Sequence, residues 1–66
     1  MKVTCTAIVE EPKQRDNLCE CIEIIGGYPD VVGNTVFAEY DGESKKAHRL
    51  MSLFKQYPFH GISVLS

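Results

Sequence analysis

Long apolar runs are missing from this chain. Its unbroken hydrophobic stretches are only a few residues long, against the roughly 20 residues that a membrane-crossing helix needs. Neither a span nor a secretory leader is expected. Closely spaced metal ligands are missing too: the sequence holds no C-x-x-C and no H-x-x-x-H, and no metal or other cofactor is expected. The cysteines number three, Cys5, Cys19 and Cys21, and an odd count makes a poor disulfide framework. Cys19 and Cys21 lie two apart on an expected helix, so their side chains diverge and cannot bridge each other. They read as free thiols of a reducing compartment, and the expected location is cytoplasmic. Nucleophile motifs are also lacking. There is no G-x-S-x-G, and no glycine-rich loop follows the first strand, where "EEPKQRDN" is charged and carries a proline. Arg15 lies in that segment, but the amide cradle of a phosphate site does not. The chain is expected not to be an enzyme.

Positive charge is in short supply. The net charge is −2 over 66 residues, which argues against a dedicated nucleic-acid binder. Its distribution is uneven. Residues 1–33 carry three basic and six acidic groups, hence −3; residues 34–66 carry four and three, hence +1. The cations Lys45, Lys46, Arg49 and Lys55, with His48, fall in one expected helix and are predicted to form a basic face. An acidic set on the first helix, Asp16, Glu20 and Glu23, is expected to balance it as solvated charge.

What is present is periodicity. "KVTCTAIVE" alternates with period two and reads as a strand, with Val3, Cys5, Ala7 and Val9 inward and Thr4, Thr6 and Ile8 outward. Pro12 suits a first helical turn. Leu18, Cys21, Ile22 and Ile25 then recur at helical spacing and are expected to form one buried stripe, and Gly26-Gly27 stops that helix. "YPDVVGNTVFAEY" reads as a hairpin turning at Gly33-Asn34. This register opposes Val32 to Thr35, Val31 to Val36, Asp30 to Phe37 and Tyr28 to Glu39. Val31, Val36, Ala38 and Tyr40 are then inward, Tyr28 and Phe37 outward. Pro29 marks an edge strand. A second helix is expected from "DGESKKAHRLMSLFKQYP", capped by Asp41 or Ser44 and stopped by Pro58, with Ala47, Leu50, Met51 and Phe54 buried. "FHGISVLS" closes as a strand with Ile62 and Val64 inward, Ser63 and Leu65 outward.

The order β-α-β-β-α-β predicts one α+β domain over residues 1–66, a ferredoxin-like split βαβ arrangement. Its four-stranded antiparallel sheet has the order 4-1-3-2, with both helices on one face. The other face is left open. Ile8, Tyr28, Val32, Phe37 and Leu65 are predicted to form an apolar patch there, the kind of surface that binds a partner.

"TVFAEYDGESKKA" resembles the third-strand signature of the RNA recognition motif, a family with this same element order. Phe37 matches an exposed stacking aromatic; Ala38 and Tyr40 match inward positions. The resemblance implies single-strand nucleic-acid binding. Thr35 stands where that family has a second aromatic, and Thr4 and Thr6 stand where its first strand carries another. In size and lack of motifs the chain is also similar to small phage-type proteins that block host defence systems, anti-CRISPR proteins among them. The leading expectation is a non-catalytic protein-binding regulator, adaptor or inhibitor that can self-associate as a homodimer. A nucleic-acid module ranks second. A carboxylate-dependent metal enzyme using Glu39, Asp41 and Glu43 ranks third.

Overall fold

The computed structural model describes residues 1–65, with Ser66 outside the described residues. Six elements follow one another: β1 (Lys2–Ile8), α1 (Pro12–Ile25), β2 (Tyr28–Val32), β3 (Thr35–Asp41), α2 (Ser44–Lys55) and β4 (His60–Leu65). Proline opens α1, where a missing N–H costs nothing. Gly26 ends it at φ 101°, a left-handed conformation in which its N–H reaches the carbonyls of Ile22 and Glu23. Gly33 begins the β2–β3 turn at φ 61°. Positive φ at only the first of two turn residues is the primed geometry that matches strand twist.

The sheet is antiparallel throughout, in the order β2-β3-β1-β4. This is the predicted order read from the other edge. The hairpin register is also the predicted one: Tyr28 opposes Glu39, Asp30 opposes Phe37 and Val32 opposes Thr35. On one face Val3, Cys5, Ala7, Val36, Ala38 and Tyr40 form a single buried cluster with Leu18 and Ile22 of α1 and with Ala47, Leu50, Met51 and Phe54 of α2. Both helices therefore lie on that face. The alternate residues of β1 and β3 look the other way.

Four expected core positions fall outside the cluster. Cys21 is exposed, Ile25 and Ile62 are half-buried, and Val64 is 44% exposed. Cys21 lies on the flank of α1 that opens into the groove between the helices. Ser52 and Gln56 of α2 line that groove, and their small or polar side chains do not seal it. Cys19, on the opposite flank, packs against the core instead. Ile62 and Val64 point to the helix side, but they belong to an edge strand that the helix layer covers incompletely. Val31 is on the core side for the same reason as Val36, its register partner, yet remains 40% exposed at the opposite edge.

Polar contacts fasten the ends of the elements. Neither Asp41 nor Ser44 caps α2: Asp41 ends β3, Ser44 is the first helical residue, and Glu43 is the N-cap without a side-chain hydrogen bond of its own. The Tyr40 hydroxyl takes over, accepting the Glu43 N–H at 3.1 Å. At the other end of the sheet, Arg15 Nη1 donates to the carbonyls of Val9 (2.9 Å) and Glu10 (2.8 Å) and to Asn34 Oδ1 (2.9 Å). Its guanidinium thus ties the β1–α1 connection to the hairpin turn, a structural use of the one arginine in the segment where phosphate-binding loops occur.

Candidate functional site

The register places the open-face residues in rows across β2, β3, β1 and β4. Val32, Thr35 and Ile8 share the first row, and Phe59 completes it because Ile8 N–H donates to Phe59 O at 3.0 Å. Asp30, Phe37, Thr6 and Gly61 form the second row. Tyr28, Glu39, Thr4 and Ser63 form the third. Asp41, Lys2 and Leu65 form the fourth.

Three of the five patch residues therefore come together. Ile8, Val32 and Phe37 occupy adjacent rows at one end of the sheet, and all are exposed. Tyr28 is exposed one row further along on the outer strand. Leu65 is exposed at the far corner, beside Lys2 and Ser63, away from the other four. The fourth member at the apolar end is Phe59, which is not among the five residues expected from the sequence. It is 68% exposed against 37% for Phe37, so it is the more accessible aromatic. The period-two pattern of β4 contained the signal: counting back from Leu65 through Ser63 and Gly61 puts Phe59 on the open face.

Gly61 shapes this end. A Cβ there would stand 2.9 Å from Thr6 Oγ1, too close for a side chain. The missing side chain leaves a shallow recess floored by Gly61 and Thr6 and walled by Ile8, Phe37 and Phe59. An apolar recess with a few polar groups is a general feature of binding sites.

The surrounding charge is negative. Among the described residues, Asp30, Glu39 and Asp41 share the open face with a single cation, Lys2. Lys2 Nζ lies 2.9 Å from Glu39 Oε1. The hydrogen bond to Glu39, and then its charge, hold the Lys2 ammonium above the ordinary lysine range. The one positive group is thus occupied within the face. A phosphate backbone approaching here meets carboxylates.

The other face carries a groove between the helices. Cys21, Ile24, Ile25 and Leu53 line it with Lys45 and Arg49. Lys45 and Arg49 stand one turn apart on its rim. Lys46 and Lys55 are nine residues apart, which is about 180° around a helix with 3.6 residues per turn. The four cations are all exposed but do not share one face. His48 Nδ1 donates to Ser44 O at 2.7 Å, and His60 Nδ1 donates to Tyr57 O at 2.6 Å. Each imidazole thus has one nitrogen committed to a local carbonyl.

The thiols are dispersed. Burial pushes the Cys5 thiol up to about 11. Burial, then the charges of Asp16 and Glu23, raise that of Cys19. Both shifts oppose formation of the nucleophilic thiolate. Among the described residues, no three of His, Cys, Asp and Glu converge on a point that a metal ion can occupy. Glu39 and Asp41 lie on the open face in successive rows, and Glu43 belongs to the start of α2. No family model, curated protein or solved structure matches the chain, so its own fold and exposed chemistry carry the functional reading.

Proposed function

We propose that this chain is a small non-catalytic protein-binding module of ferredoxin-like fold, a regulator, adaptor or inhibitor that docks a partner protein on the open face of its sheet. The element order and the β2-β3-β1-β4 sheet support the fold assignment. The observation that carries the function is the cluster Ile8, Val32, Phe37 and Phe59 around the Gly61 recess, bordered by carboxylates. Apolar burial contributes about 25 cal/mol per Å² removed from water, and exposed ion pairs typically about 0–1 kcal/mol. Aromatic residues beside a recess are also the side chains that dominate binding energy at interfaces. The fitting partner presents an apolar or aromatic anchor for the recess, flanked by Lys or Arg to meet Asp30, Glu39 and Asp41. Those carboxylates are why a protein is preferred to a nucleic acid, despite three exposed aromatics, Tyr28, Phe37 and Phe59.

The test is capture of partners from the source cell with wild-type protein, Phe37→Glu, Phe59→Glu and the double reversal Lys45→Glu/Arg49→Glu. The reading expects a nuclease-resistant complex that both phenylalanine variants lose and the helix reversal keeps. Loss in the helix reversal alone moves the site to the inter-helix groove. Fluorescence anisotropy with short single strands at physiological salt addresses the nucleic-acid reading. Tight binding that Phe37→Ala abolishes would replace the protein partner with RNA or DNA.

A further inference from the structure

The two edges of the sheet are not chemically equivalent. Ile8 N–H donates to Phe59 O and Val9 N–H donates to Asn34 O. Even-numbered residues of β1 therefore direct their backbone groups to β4, and odd-numbered residues direct theirs to β3. Carried outward, this alternation turns the backbone groups of Pro29 and Val31 away from the sheet on β2. On β4 it turns those of His60, Ile62 and Val64 outward.

On β2 both outward donors are removed. Pro29 has no N–H, and the N–H of Val31 is taken by Asp30 Oδ1 at 2.9 Å. These are the devices by which an edge strand is kept from pairing. On β4 no such device is present. The strand "HGISVL" contains no proline and no Asp, Glu, Lys or Arg. No described side chain accepts its outward N–H groups. Its apolar side chains are also uncovered on both faces: Val64 is 44% exposed on the helix side and Leu65 64% on the open side.

We propose that the occupant of the β4 edge is a second copy of this chain, paired β4 to β4 antiparallel about a two-fold axis at Ile62. That register alone pairs all three outward residues among themselves, with Ile62 opposite Ile62 and His60 opposite Val64. On the helix side it covers Ile62 and Val64. On the open side Leu65 of the second copy comes opposite Phe59, which brings it to the apolar patch from which it is separated within one chain. The absence of carboxylates and ammonium groups on the strand means that the two-fold brings no like charges together. The result is a continuous sheet of eight strands, with the open faces of both copies on one side. Short single-core domains commonly gain stability by such association. Docking on the open face is a separate proposition, and either can fail without the other.

Sedimentation velocity of the full chain under reducing conditions, over a range of concentrations, is the test. The mass is expected to rise from 7.4 kDa toward twice that value. Val64→Pro removes one outward donor, as Pro29 does on β2, and leaves the β1 ladder untouched. It is expected to stay monomeric with an unchanged far-ultraviolet spectrum. A second variant reads the register without weakening the strand. In a Cys19→Ser/Cys21→Ser background, Ile62→Cys places two thiols at directly opposed positions, about 5.5 Å apart between Cα atoms. This distance is within disulfide reach. Mild oxidation is expected to give a covalent dimer from Ile62→Cys and none from Val31→Cys, on the opposite edge. A mass that stays at 7.4 kDa at every concentration overturns the proposal. So does a dimer that survives Val64→Pro but is lost in Phe37→Glu, which would place the contact on the open face.

Discussion

The Tyr40 hydroxyl accepts the Glu43 N–H at 3.1 Å, so a residue of the core caps α2. Gly42 stands between the two, and a Cβ on it would lie 2.7 Å from Tyr40 Oη and 3.0 Å from Cζ. The ring, the glycine and the helix start are one packed unit. Tyr40→Phe keeps the ring and removes the acceptor. Its expected cost is about 0.5–2 kcal/mol, the usual value of an N-cap. Gly42→Ala is expected to cost more, because the ring cannot yield without leaving the core. Urea unfolding of both variants measures this, and a smaller loss in Gly42→Ala than in Tyr40→Phe would show that the ring moves freely.

Arg15 supports the opposite end of the sheet by holding Val9 O, Glu10 O and Asn34 Oδ1. Lysine carries the charge but not the planar fork. Arg15→Lys and Asn34→Ala are each expected to lower stability by about 1.5–3 kcal/mol, the range for hydrogen bonds to charged groups. The local readout is hydrogen exchange at Val9, whose N–H donates to Asn34 O. Its amide should exchange faster in both variants, while that of Cys5 in mid-strand should not.

The contrast between Leu50 and Cys21 checks which helix positions are internal. Leu50 has no exposed surface, and Cys21 is exposed. Leu50→Ala is expected to cost about 2–5 kcal/mol, and Cys21→Ser to stay within about 0.5 kcal/mol. Chemical denaturation of the two variants is sufficient. A large loss in Cys21→Ser would mean that the groove between the helices closes over that side chain in solution.

Cys5 makes stability depend on pH at the alkaline end. Burial holds its thiol up at about 11, from an ordinary value of 9.0. Between those values the unfolded chain has released this proton and the folded chain still binds it, so stability falls as pH rises through the window. Below about pH 8 the thiol is protonated in both states and contributes no slope. Urea midpoints between about pH 8 and pH 10.5 should decline more steeply in the wild type than in Cys5→Ala, which starts from a lower midpoint. Parallel declines would assign the slope to other groups.

The strands and the hairpin register were legible in the sequence because alternation has a short period and the Gly33-Asn34 turn fixes its phase. Every member of the buried cluster could be read from those patterns and the two helical stripes. Spacing alone puts Cys21 in the buried stripe and Cys19 off it, the reverse of their burial in the fold. Both lie on flanks of the Leu18–Ile22 stripe, and only the partner helix decides which flank is covered. Val64 shows the same limit in a strand: alternation gives its side of the sheet but not whether a helix reaches that far. The open face was legible as a side, but its grouping was not. Leu65 and Ile8 share that side and sit at opposite ends of it, a fact fixed by the β1–β4 register. Phe59 has the phase of β4 but precedes the strand, so the pattern within β4 does not by itself include it.

The central place of β1 sets the order in which the chain can assemble. Its neighbours are β3 and β4, and its pairing of Lys2 with Leu65 joins nearly opposite ends of the sequence. The β2–β3 hairpin, by contrast, closes across only two residues. Loop-closure entropy favours early hairpin formation and makes insertion of β1 a late, long-range event. Substitutions in the hairpin turn are therefore expected to slow refolding, and substitutions in β4 to hasten unfolding. Until β1 arrives, β3 has an unpaired side, so the sheet has a transient sticky edge in the middle of its final width.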